Sequence, residues 1–100
     1  MNIVFPVTVA DIESAQLCPV EEATAFAVIE IDENATIVEI NFSDTQKQAC
    51  NEADVFVVVR GDKEQEFLYE YPIKALIAPL EYSIDDVIEG YQFRELHEIV

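Results

Sequence analysis

Five consecutive apolar residues, Val55-Phe56-Val57-Val58-Val59, constrain this chain more than any other stretch of it. Successive side chains of a strand point to opposite faces, so a run without alternation needs apolar cover on both sides. That is the situation of a central strand in a parallel sheet with helices packed above and below. Ile73 to Ala78 is a second run of the same kind. Gly61 breaks the first run, and Asp62 to Tyr71 then reads as a helix, with acidic residues in its first turn and Phe67, Leu68 and Tyr71 on one face. Pro72 stops it. Strand, helix, strand is a crossover unit, which joins parallel strands.

The earlier half reads differently. Asn2 to Val9 is a β-branched and aromatic run bent at Pro6, followed by a long loop from Ala10 to Glu22. Thr24 to Ile31 and Thr36 to Phe42 flank the polar joint Asp32-Glu33-Asn34-Ala35, a hairpin signal. In the second of these strands Val38, Ile40 and Phe42 share one face. Ser43 and Gln46 have the spacing of a capping box ahead of a short helix ending near Ala53, with Ala49, Cys50 and Ala53 inward. Ser83 and Asp86 open a last helix that Gly90 is expected to close. An antiparallel hairpin joined to a parallel crossover makes a mixed α/β sheet. One hundred residues suit a single domain, residues 1–100, large enough to hold a core without disulfides.

Charge narrows the partners. Against 21 acidic residues stand only Lys47, Arg60, Lys63, Lys74 and Arg94, a net charge of −16 shared evenly between the two halves. Nucleic-acid binding depends on clustered Lys and Arg that displace counterions, so no nucleic acid is expected as partner. Anionic membrane surfaces are disfavoured on the same ground, and no apolar run approaches the roughly 18 residues of a membrane span. A cation or a basic protein surface is the complementary partner. The opening residues lack the positively charged start of a signal peptide, and a cytoplasmic location is the expectation.

The strand cores resemble one known family. Asn2-Ile3-Val4-Phe5-Pro6-Val7-Thr8, then Ala23 to Asp32, Ala53 to Val59, Ile73 to Ala78 and Ser83 to Ile88 together are similar to the dinitrogenase iron-molybdenum cofactor-binding proteins. The resemblance implies a ribonuclease H-like motif, a mixed five-stranded sheet with helices on its faces. It also implies a small non-enzymatic carrier in cofactor assembly, with an iron-molybdenum or iron-sulfur cluster as cargo. At the positions where the family carries His-Phe-Gly, this chain has Pro19, Val20 and Glu21, and where the family has a glycine-rich turn after its fourth strand and a glycine before its fifth, it has Gly61 alone and Pro72 before Ile73. A divergent relative that keeps the scaffold while losing the ligand site is therefore the competing reading: an acidic interaction or regulatory module.

Few side chains carry chemistry. Cys18, in the long loop beside the position of the missing histidine, is the candidate cofactor-binding residue, because a thiolate there can ligate iron or another soft metal; the alternative is a loop thiol packed under the strand ends. Cys50 reads as a small core residue. Their spacing fits no zinc pattern. His97, the single histidine, reads as part of a solvated tail, so a Ser-His-acid triad lacks a firmly held imidazole. A two-metal nuclease needs carboxylates over the sheet, and the first strand has none. Glu21-Glu22, Asp32-Glu33 and Asp85-Asp86 read as solvated surface. With two glycines in the chain no phosphate-binding loop can be built. No enzyme activity is expected.

Overall fold

The run at Val55–Val59 becomes strand β4 and is buried at every position, as its lack of alternation requires. In a computed structural model that describes residues 1–60, 73–92 and 97–99, it pairs in parallel with β1 (Asn2–Val7) on one side and β5 (Lys74–Ala78) on the other. Next to β1 lies β2 (Ala25–Ile31), antiparallel, and beyond it β3 (Ile37–Ser43), also antiparallel. The sheet order is β3-β2-β1-β4-β5, the mixed five-stranded arrangement of a ribonuclease H-like motif, extended by a three-residue strand β6 (His97–Ile99) along β5. The helix expected over Asp62 to Tyr71, with its flanks Gly61 and Pro72, lies outside the described residues.

Each face of the sheet has its own core. On one face Ile3, Phe5, Ala27, Ile29, Val57 and Leu76 pack under helix α2 (Ile84–Gln92), which contributes Ile84, Val87 and Ile88. On the other, Val4, Phe26, Val28, Phe56 and Val58 meet helix α1 (Gln46–Glu52) through Ala49 and Cys50. Small residues on α1 let its backbone approach the sheet closely, and the Phe26 and Phe56 rings fill the space beneath, with centroids 6.1 Å apart. Asn2 fastens β1 to the start of β4: its N–H donates to Asp54 Oδ2 at 2.8 Å while its carbonyl accepts from the Asp54 N–H at 2.9 Å.

Several local expectations shift. The first strand ends at Val7 rather than Val9, because the following loop turns back and the Thr8 N–H donates to the Gln16 carbonyl. Pro6 is fully buried within the strand. Asn2, of the same parity, directs its backbone groups toward β4, whose ladder with β1 covers only Ile3 and Val4. Pro6 lies past that ladder and costs it no bond, and its carbonyl accepts instead from the Cys18 N–H at 3.2 Å. The cap of α1 is Thr45, whose hydroxyl accepts from the Gln48 N–H at 3.2 Å; Ser43 is the buried end of β3. Gly90 sits buried inside α2, which continues to Gln92, so it serves close packing rather than termination. Ser83 and Asp86 do form the reciprocal capping box, each side chain accepting from the other's N–H at 3.1 Å. His97, expected in a solvated tail, pairs through its backbone with Ile77.

The hairpin joint forms as expected. Asp32 Oδ1 accepts from the N–H groups of Asn34 and Thr36, and the Ala35 N–H donates to the Asp32 carbonyl. Ala35 thereby adopts φ 60°, the left-handed region. The register also slips between Glu30 and Ile31, which leaves Val38 as an extra residue and 59% exposed, whereas Ile40 and Phe42 keep the inward face.

Two outcomes follow. An L-residue with a Cβ pays roughly 1–2 kcal/mol in the left-handed region, against roughly 0.5–1 kcal/mol of extra unfolded-state entropy for glycine, so Ala35→Gly should stabilise the fold by about 0.5–1 kcal/mol in urea denaturation. Burial on α1 raises the Cys50 thiol from 9.0 to about 11. Below pH 9 the thiol is protonated in both states and stability is unaffected; between pH 9 and 11 only the unfolded chain ionises, so stability falls by on the order of 2 kcal/mol. Denaturation midpoints across that window should fall less steeply for Cys50→Ala than for the wild type.

Candidate functional site

The parallel strands β1, β4 and β5 all end at the same edge of the sheet, and in open α/β sheets ligands settle outside such carboxyl ends. A cleft of about 800 Å³ lies there, between the loop that follows β1 and the connection from β5 to α2. The first wall is built by doubling back. Val7 bridges to Leu17, and Gln16 and Thr8 exchange bonds, the Gln16 N–H donating to Thr8 Oγ1 at 3.3 Å. Asp11 closes the tip, accepting from the N–H groups of Glu13, Ser14 and Ala15. A 3-10 turn at Val20–Glu22 and a bond from the Thr24 hydroxyl to the Thr8 carbonyl return the chain to β2. Leu17, Cys18 and Val20 are buried under this loop.

The second wall is Leu80 to Ser83, with Leu80 53% exposed at the rim. Ser83 belongs to the capping box, so its hydroxyl is spent on α2. Cys18 lies in the strand-end loop and in the lining of the cleft, and at 6% exposed it is packed under the strand ends. Cys50 lies apart, sealed against the opposite core, and its raised thiol holds its proton at neutral pH. The two cysteines form no disulfide. His97 enters the sheet three strands from β1, about 14 Å at the usual strand spacing.

Electrostatics and hydrogen bonding decide what the cleft can hold. Its charged lining residues are Glu13, Glu22 and Glu81, and none of its described lining is basic. An anionic cluster would have to find backbone amides. Yet the N–H groups of Thr8, Glu13, Ser14, Gln16 and Glu22 all donate within the loop, that of Cys18 donates to Pro6 of β1, and those of Tyr82 and Ser83 donate to Pro79 and Asp86. Among the described residues no three His, Cys, Asp or Glu side chains gather as a ligand set. The chemistry on offer is one thiol amid carboxylates, suited to a neutral or cationic group that brings most of its own ligands. Asp11 and the Thr8 hydroxyl, which shape the first wall, were invisible as a pair in the sequence; their only signal was an Asx-turn residue at the loop tip.

Comparison with known proteins bears on the fold. No family model matches the chain, and no curated protein matches it. Among solved structures, PH0822 superposes with a TM-score of 0.75 at 12% identity, over 97% of this chain and 95% of that one. A protein of Methanocaldococcus jannaschii, MJ0327, provisionally named a dinitrogenase, superposes with a TM-score of 0.74 at 15% identity, over 99% of this chain and 94% of that one. At these identities the likeness is one of architecture: the chain has a dinitrogenase-like α/β fold.

Proposed function

We propose that this chain is a small non-enzymatic carrier whose cargo docks in the strand-end cleft and is held at one point, by Cys18. The observation that supports this reading is the placement of the two thiols: both are buried, but Cys18 lines the cleft at the carboxyl ends of the parallel strands, whereas Cys50 packs against the opposite core. The likeness to a protein provisionally named a dinitrogenase agrees with cargo of the metal-cofactor kind. Ligation converts the Cys18 thiol to thiolate, releasing its proton to solvent, so retention of cargo strengthens as pH rises. A single protein ligand with no gathered ligand set is a weak grip, consistent with a protein that hands its cargo on. The carboxylate lining favours a cluster precursor of neutral or positive charge over a finished anionic cluster.

The spent amides of the loop favour a second reading, that the scaffold persists as an acidic interaction module with no cargo at all. Anaerobic incubation with ferrous iron and sulfide, followed by desalting, metal analysis and visible absorption, separates the two. The carrier reading expects sub-stoichiometric to stoichiometric iron that is lost in Cys18→Ala and kept in Cys50→Ala. Metal at background in the wild type, or equal loading in the Cys18 variant, would leave the interaction module.

A further inference from the structure

Strand β3 is the outermost strand, and among the described residues nothing pairs with its free edge. An open edge offers backbone donors and acceptors to any incoming strand, and proteins commonly blunt it with charged side chains, lysine above all, with proline or with a bulge; the charge on β3 is Glu39, which repels acidic strands and admits basic ones. β3 contains neither lysine nor proline. Its bulge sits at Val38, near one end, and from Glu39 to Ser43 the strand runs in unbroken register with β2. The register is thus continuous over five residues, an ordinary strand length.

Beside that edge three carboxylates line one hollow. Glu30 and Glu39 are directly opposed in the β2–β3 ladder, and like charges so placed repel. With Glu52 at the end of α1, they line a hollow of about 210 Å³ together with Asn2, Val28 and Asn41, and none of these lining residues is basic. Positive charge arriving along β3 relieves the repulsion.

We propose that the β3 edge accepts an extended basic segment of a partner protein as an added strand, with a lysine or arginine set beside Glu39 and reaching toward its cross-strand neighbour Glu30. Main-chain bonds to β3 supply the pairing, and the charges select the partner and its face, since alternate residues of the added strand lie on one side. A second copy of this chain is the wrong occupant, because it brings the same carboxylates and a charge of −16 to the same edge. The hollow lies at the amino-terminal end of β1, opposite the cleft, so this inference stands or falls separately from the carrier reading.

The test is a fluorescent peptide of about nine residues alternating lysine with threonine or valine, titrated against the intact protein. Binding should weaken steeply with salt, slow amide exchange across Ile37–Ser43, and fail for the same peptide N-methylated at alternate residues, which keeps its charge but cannot form the ladder. Glu39→Lys should lower affinity about tenfold while raising the melting temperature, since a lysine opposite Glu30 replaces repulsion with attraction; loss of binding through misfolding is thereby distinguished. Equal binding of the N-methylated peptide, protection mapping to the cleft, or a dimer of the free protein built on β3 would each overturn it.

Discussion

The structure depends on two neighbouring strands, β1 and β4, that are apolar on both faces. Ile3, Phe5 and Val57 need cover on one side of the sheet, Val4, Phe56 and Val58 on the other, and full burial of each such side chain is worth roughly 1.5–3 kcal/mol. No antiparallel meander with a solvated face can supply that cover. Helices on both faces can, and the parallel β1–β4–β5 core brings three strand ends to one edge of the sheet. The cleft is the geometric residue of this requirement: loops that leave parallel strands in opposite directions part at their exits.

What fills such a cleft depends on how its loops spend their polar groups. Here the loop after β1 is self-sufficient. Asp11 gathers three N–H groups, Thr8 and Gln16 exchange bonds, and Cys18 donates to Pro6. These bonds hold a loop with no helix or strand of its own length against the core, and each amide committed to them is one fewer for a ligand. Stability of the wall and capacity to grip an anion therefore compete for the same donors, and this chain resolves the competition toward the wall. The carboxylates of Glu13, Glu22 and Glu81 push in the same direction.

Much of this was legible in the sequence wherever burial alone decided the outcome. Val55–Val59 admitted one kind of strand, the polar joint Asp32 to Ala35 admitted one kind of turn, and Ser83 with Asp86 formed the cap its spacing required. Cys18 was placed in the strand-end loop because that loop follows the first strand and precedes the second. The departures all arise where a neighbour distant in sequence intervenes. Thr45 caps α1 because Ser43 is held in the ladder opposite Phe26; Gly90 packs within a helix rather than ending one; Val38 is extruded by a register slip that no alternation pattern announces. The closure of the first wall by Asp11 and Thr8 was equally hidden, since a turn residue and a hydroxyl near a strand end reveal nothing of their partners until the chain has folded back.

These two kinds of information also separate fold from function. Strand interiors answer to burial, which many sequences satisfy, and this explains an architecture held over nearly the whole chain at 12–15% identity. Ligand grip answers to a few loop positions, which can change without cost to the core. In this chain the carboxylates of the cleft lining and the opposed Glu30 and Glu39 beside the β3 edge lie at opposite ends of the sheet, and none of them belongs to either core. A chain carrying −16 sets these carboxylates at its surface, where they turn away anions and attract basic groups without drawing on either core.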